Sequence, residues 1–125
     1  MQIDSAYMGI PGAMADPRDL VVDANKNIYI ADAGNNRILV LDPFFKYKFS
    51  ISEFVNDQGV KDGLSSPSGV FITDKFIYVA DTENNRIVIF SLDGKIDHIL
   101  EKPTSKVFET NAIYKPIALP PLIRA

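Results

Sequence analysis

Two short stretches of this sequence place a carboxylate, two carboxamides and a guanidinium within six residues of one another. They are Asp32, Asn35, Asn36 and Arg37, and then Asp81, Asn84, Asn85 and Arg86, at the same internal spacing. Such a set has two uses. In the first, the aspartate accepts backbone N–H groups of its own tight turn. The asparagines then tolerate the left-handed backbone that closes a hairpin. The arginine bridges carbonyls or a carboxylate in an adjoining loop. In the second use the same groups meet a ligand, with Asn36, Arg37, Asn85 and Arg86 as the candidate contacts. The expectation is the first, a hairpin-forming motif.

Other chemistry-bearing residues are sparse. His98 is the single histidine and lies in a polar, alternating stretch, so it reads as an exposed bystander. A zinc site or a Ser-His-Asp triad would need partners that the chain lacks. The absence of cysteine excludes a disulfide framework and a thiolate metal site. Asp16, Asp19 and Asp23 do not have calcium-loop spacing. Asp57, Asp62 and Asp93 read as solvated turn residues, and Tyr29 and Tyr78 as core. No catalytic residue, no metal and no cofactor is therefore expected.

The elements that carry the motif come in two copies. Residues 28–42 read IYIADAGNNRILVLD, and residues 77–91 read IYVADTENNRIVIFS. Eight of the fifteen aligned positions are identical, four more exchange one apolar residue for another, and the offset is 49 positions. A fixed period of this size marks a repeat architecture. Each copy reads as four short strands. In the first these are Leu20–Val22, Ile28–Ala31, Ile38–Leu41 and an alternating stretch over Lys46–Phe54, with Tyr47, Phe49 and Ile51 on one face. In the second they are Val70–Ile72, Ile77–Ala80, Ile87–Phe90 and Gly94–Leu100. The first three strands of each copy are nearly continuous in apolar residues, as in strands buried on both faces, and the fourth alternates. Four strands that become more polar from first to last describe the radial sheet of a propeller blade. The stretch Asn56–Gly63 reads as a polar loop between blades. Pro17, Pro67 and Pro116 are 50 and 49 positions apart. So Pro116–Leu119 reads as the first strand of a third blade, broken by Pro120 and Pro121. The organisation expected is a lead-in over 1–16, blades over 17–66 and 67–115, and a truncated start over 116–125.

The repeated core resembles the NHL repeat, a blade unit of beta-propellers. Pro17, Asp32, Gly34, Asn35, Asn36, Arg37 and Ile38 carry the likeness in the first copy, and Pro67, Asp81, Asn84, Asn85, Arg86 and Ile87 in the second. Glu83 departs from the glycine that the family favours, so this position does not require positive φ in both copies. The fold class expected is all-β, a partial beta-propeller of two four-stranded antiparallel blades plus the first strand of a third. The resemblance implies a non-catalytic binding or interaction scaffold, presenting a loop face to a protein, peptide or glycan. Its alternative is part of a six-bladed propeller enzyme, like lactone hydrolases or amidating lyases, with a metal in the central channel. That enzyme needs carboxylates or histidines from several blades, and no histidine repeats at the blade period.

Bulk composition narrows the partners. Thirteen basic residues against 16 acidic ones give a net charge of −3 with no basic stripe. This argues against nucleic acid and against adsorption to an anionic membrane. No apolar run approaches the roughly 18 residues of a spanning helix, so no membrane insertion is expected. Met1–Ser5 has no features of a signal peptide. The reading is of a soluble protein whose compartment stays open, an extracytoplasmic one included. Two blades leave end faces uncovered, with Val21, Ile30 and Val79 or their neighbours on them. The chain is thus expected to belong to a longer propeller or to self-associate through open blade faces.

Overall fold

The computed structural model describes residues 8–101. Their strands are β1 (Pro17–Val22), β2 (Ile28–Asp32), β3 (Arg37–Leu41), β4 (Tyr47–Ile51), β5 (Glu53–Val55), β6 (Lys61–Gly63), β7 (Pro67–Ile72), β8 (Phe76–Asp81), β9 (Arg86–Ser91) and β10 (Ile96–Glu101). Two four-stranded antiparallel sheets run in chain order, β1 to β4 and β7 to β10, and β5 pairs with β6 in a small third sheet. The architecture is all-β, two successive propeller blades. The third-blade strand over Pro116–Leu119 lies outside the described residues.

The repeat explains why the blades stack. Side chains alternate across a strand, so each blade has two apolar faces. One face of blade 1, with Val21, Tyr29, Ala31, Ile38, Val40, Phe49 and Ile51, packs against Val70, Ile77, Val79, Val88 and Phe90 of blade 2. The blade-1 equivalents of the last four are Ile28, Ile30, Leu39 and Leu41, on its opposite face. There they pack with Met8, Ile10 and Met14 of the lead-in. Burial on both faces is complete for β2 and β3. Phe90 and Val79 are fully buried between the blades. Truncating Phe90 to alanine would cost about 3–5 kcal/mol through the cavity left behind. The innermost strands β1 and β7 lie side by side. Asp19 Oδ2 ties them by accepting the Val70 N–H at 3.0 Å.

The structure corrects four local expectations. The stretch Lys46–Phe54 is two strands, β4 and β5, separated at Ser52. A register shift between Val40 and Leu41 turns Tyr47 to the lead-in side, while Phe49 and Ile51 face blade 2. A bulge reverses the faces that strict alternation would assign. Asn56–Gly63 is no plain loop: it turns back through β6, which pairs with β5 from Glu53↔Gly63 to Val55↔Lys61. The end-face residues also differ. Val21 and Val79 face the inter-blade core, and Ile30 is covered by the lead-in. On β1 of blade 1, Leu20 and Val22 are left open, 54% and 51% exposed.

Candidate functional site

The two motif turns are built alike. Asp32 ends β2, a 3-10 turn spans Ala33–Asn35, and Asn36 closes it at φ 55°, ψ 44°. Asp81, Thr82–Asn84 and Asn85 at φ 53°, ψ 49° repeat this. Asparagine bears the left-handed geometry with less strain than most residues. Arg37 and Arg86 then open β3 and β9, paired directly across from the aspartates.

Asp32 and Asp81 are fully buried, and their oxygens divide the same way. Oδ2 of Asp32 accepts Arg37 Nε at 2.7 Å and Asn35 Nδ2 at 2.9 Å. Oδ2 of Asp81 accepts Arg86 Nε at 2.7 Å and Asn84 Nδ2 at 2.9 Å. The other oxygen reaches out of the turn. Asp32 Oδ1 accepts the Ala15 N–H at 2.7 Å, and Asp81 Oδ1 accepts the Ser65 N–H at 2.6 Å. The expectation that these carboxylates bond amides of their own turns is therefore corrected: neither side chain caps its own 3-10 turn. They hold the segment that enters the same blade, 16 or 17 residues earlier. An antiparallel hairpin satisfies its own amides, whereas an irregular connector must find acceptors elsewhere.

The far ends of the arginines differ between the blades. Arg37 Nη1 donates to the Pro11 carbonyl at 2.6 Å and Nη2 to the Gly12 carbonyl at 3.2 Å. Arg86 meets Asp62 end-on, with both Nη atoms 2.8 Å from its oxygens, and Nη2 also reaches the Gly63 carbonyl at 2.9 Å. A two-pronged guanidinium–carboxylate pair is the strong form of this contact. Hydrogen bonds from Arg86 hold the Asp62 carboxyl well below the usual carboxylate range against the opposing effect of burial. The Phe54 ring lies 5.6 Å from Arg86 Cζ, and packs edge-on to Phe90 at 5.4 Å between centroids. Asp62 is thus a member of the motif and not a solvated turn residue. Comparing the repeats gave no signal for it, because the equivalent position 49 residues earlier is Ala13.

Family models match residues 14–41 and 64–90 as the NHL repeat, and both segments run from the connector through the motif turn. The chain carries two NHL repeats. No curated protein matches it. Among solved structures, virginiamycin B lyase from Staphylococcus aureus is similar at 18% identity and a TM-score of 0.32. The alignment covers 71% of this chain and 42% of that one. A likeness of this degree carries no functional argument.

Of the remaining NHL turn residues, Asn35 and Asn36 also have structural partners. Asn35 Nδ2 donates to the Ala13 carbonyl at 2.8 Å, besides its bond to Asp32. Asn36 Oδ1 crosses to the next blade and accepts the Ser66 N–H at 2.8 Å. Ser66 precedes β7 at φ 53°. Asn85, its counterpart, has no side-chain hydrogen bond among the described residues. Gly34 does not have positive φ. It is required because a Cβ there would lie 2.6 Å from the Ala15 carbonyl oxygen. In blade 2 the matching backbone bond, from Glu83 N to the Ser65 carbonyl, is longer (3.2 Å against 2.8 Å from Gly34 N to Ala15), and a side chain fits.

Other candidates fall outside the motif. His98 is exposed, and Asp16 pairs with Arg18 at the surface. Asp19 accepts from Leu20 N and Val70 N. Asp23 closes its own turn, accepting from the Asn25 and Asn27 backbone, the Asn27 amide and the Tyr29 hydroxyl. Burial raises the Tyr29 hydroxyl above its usual range, and its bond to Asp23 adds to this. Tyr78, the counterpart, packs with the rings of Phe71 and Phe76. The Ser91 hydroxyl donates to Asp93. No group of three or more metal-ligating side chains occurs among the described residues. Nor is any helix there long and apolar enough to cross a membrane.

Sequence reasoning passed over a different feature, the β3–β4 turn. Its backbone matches the β9–β10 turn bond for bond: Phe45 N to Asp42 O and Gly94 N to Ser91 O are both 2.9 Å, and Asp42 N to Lys46 O and Ser91 N to Lys95 O are both 2.8 Å. The left-handed position is glycine in blade 2, Gly94 at φ 92°, and phenylalanine in blade 1, Phe45 at φ 66°. A bulky side chain in that region is an outlier. Phe45 is 40% exposed and its neighbour Phe44 is 73% exposed. The signal was readable, since PFF stands where the second repeat has LDG.

Proposed function

We propose that this chain is a non-catalytic binding scaffold that takes a protein or peptide partner at the end of the blades carrying the β1–β2 and β3–β4 turns. The observation behind this is the Phe44–Phe45 pair. Nearly all the polar motif residues are engaged in holding connectors, which leaves little for a ligand. The aromatic pair breaks the turn rule that the sister blade keeps, and it faces water. Residues that break a local rule without a packing gain are the expected signature of a functional site. Exposed aromatic side chains are the commonest anchors of protein interfaces, because they bring large apolar area at low entropic cost.

The experiment is selection from a displayed peptide library, with a glycan array in parallel, followed by titration of the best binder. Binding that is lost in Phe44→Ser and Phe45→Gly but kept in Asn85→Ala supports the reading. Hydrolysis of a lactone or ester that requires an added divalent cation would replace it with the enzymatic alternative.

A further inference from the structure

The two blades close their first turns by different means. Val22 pairs with Ile28 across the β1–β2 turn, and Ile72 with Ile77 across the β7–β8 turn, so the second turn is one residue shorter. This is where the repeat offset changes from 50 positions to 49. In blade 1 the Asp23 carboxylate closes the turn, accepting the Asn25 and Asn27 N–H groups at 2.8 and 2.9 Å. In blade 2 a hydroxyl takes over this task. Thr73 Oγ1 accepts the Lys75 and Phe76 N–H groups at 3.2 and 3.0 Å. Asp74 is thereby released from any part in the turn. Its side chain is exposed, with no hydrogen bond or ion pair among the described residues.

Both turns line one cleft of about 360 Å³, whose walls come from the two adjoining blades. Val22, Ile72 and Leu92 make it apolar in part, and Asp23, Thr73 and Asp74 supply polar groups. Ile72 and Leu92 also rest on the inter-blade core, which holds them in place. Asp23 is fixed by its own turn and by the Tyr29 hydroxyl, which donates to Oδ2 at 2.9 Å. Burial raises its pKa, but the hydrogen bonds from Asn27, Tyr29 and Asn25 outweigh burial and lower it, so the carboxylate stays charged. The lysines of the two turns, Lys26 and Lys75, have no side-chain partner among the described residues. Neither therefore pairs with Asp23 or Asp74. Apolar surface beside two carboxylates without a cation suits a side chain that has an aliphatic stem and a positive head. A carboxylate or a phosphate would be repelled.

We infer that this cleft takes an arginine or lysine side chain of a basic peptide segment, its stem against Val22, Ile72 and Leu92 and its head between Asp23 and Asp74. Because the inference rests on the binding end assigned above, it adds an electrostatic subsite to the Phe44–Phe45 anchor and names the charge of the partner. The net charge of −3 favours the same sign of partner.

Three pools of fluorescent peptides test it, in polarisation titrations of the whole chain. Each peptide has about ten residues, with uncharged residues, aromatic ones included, randomised around a central arginine, norleucine or glutamate. The arginine pool should bind about tenfold more tightly than the norleucine pool, through charge-assisted hydrogen bonds, and the glutamate pool should bind most weakly. Asp74→Asn removes no contact that the fold uses. It should melt with the natural chain and bind the arginine and norleucine pools alike. Phe44→Ser should weaken all three pools by a common factor and keep their order. A natural chain without the arginine preference overturns the inference, as does a preference that survives Asp74→Asn. In either case a loss of binding in Phe44→Ser leaves the aromatic anchor standing. A preference that Asp74→Asn abolishes and Phe44→Ser does not weaken supports the cleft and removes the anchor. Failure of all three pools to bind overturns the cleft and the anchor together.

Discussion

The two motif turns share one half of their chemistry and differ in the other. In both blades a buried aspartate joins the arginine Nε, an asparagine amide and one connector N–H. Beyond that, the blade-1 arginine finishes on two neutral carbonyls, and the blade-2 arginine on a second carboxylate. The common half fixes where the connector enters the blade. The variable half adapts to whichever groups the connector offers. The comparison teaches that the repeated residues encode a clamp, while the residue clamped is set by an unrepeated segment.

Removing the aspartate tests the comparison most severely. Asp32→Ala leaves Arg37 buried with no carboxylate, and the loss expected is about 3–5 kcal/mol. Asp81→Ala leaves Arg86 with Asp62, so its cost should be smaller, about 2 kcal/mol from the unpaired Ser65 N–H and Asn84 amide. Urea unfolding of both variants gives the two numbers. Equal losses would mean that Asp62 does not support Arg86.

Gly34→Ala should cost about 1–3 kcal/mol, because its Cβ would press into the Ala15 backbone. Glu83→Gly, at the matching place in blade 2, should cost no more than about 1 kcal/mol through added freedom of the unfolded chain. Thermal melts of the pair would show the asymmetry. A tolerated alanine at 34 would mean that the connector can withdraw.

Asp62→Asn should cost about 1–2 kcal/mol at neutral pH, since it removes a charge-assisted pair. The folded-state pKa of Asp62 is depressed. Its contribution is therefore complete above the ordinary carboxylate pKa, near 3.8. It declines as the pH falls toward the folded value. The gap between natural chain and variant should narrow in strong acid, as followed by denaturation at a series of pH values. A gap that widens toward acid would contradict the assignment.

The smallest effect expected is a gain. Phe45→Gly restores the turn residue of the sister blade and should stabilise the fold by about 1 kcal/mol. The reverse change in blade 2, Gly94→Ala, should destabilise, because φ is 92° and its Cβ would meet Phe49 at 3.0 Å. A loss on Phe45→Gly would show that the Phe45 ring contributes to packing that outweighs its strain.

The sequence by itself determined the repeat, its period, the first three strands of each blade and the place of the motif turns. Those follow from local rules: apolar residues alternate across a strand, and asparagine accepts a left-handed turn. The 49-residue offset then applies one blade's strands to the next. Only the tertiary structure decided what each group touches. Asp32 reaches Ala15, and Arg86 reaches Asp62, across 17 and 24 residues of chain. No periodicity reports on such pairs, because the connectors that supply them are not copies of one another. The bulge that turns Tyr47 away from Phe49 was invisible for a related reason. A ladder inserts a residue where two sheets and a lead-in must all be packed at once, and that demand comes from the assembled layers, not from the strand that carries it.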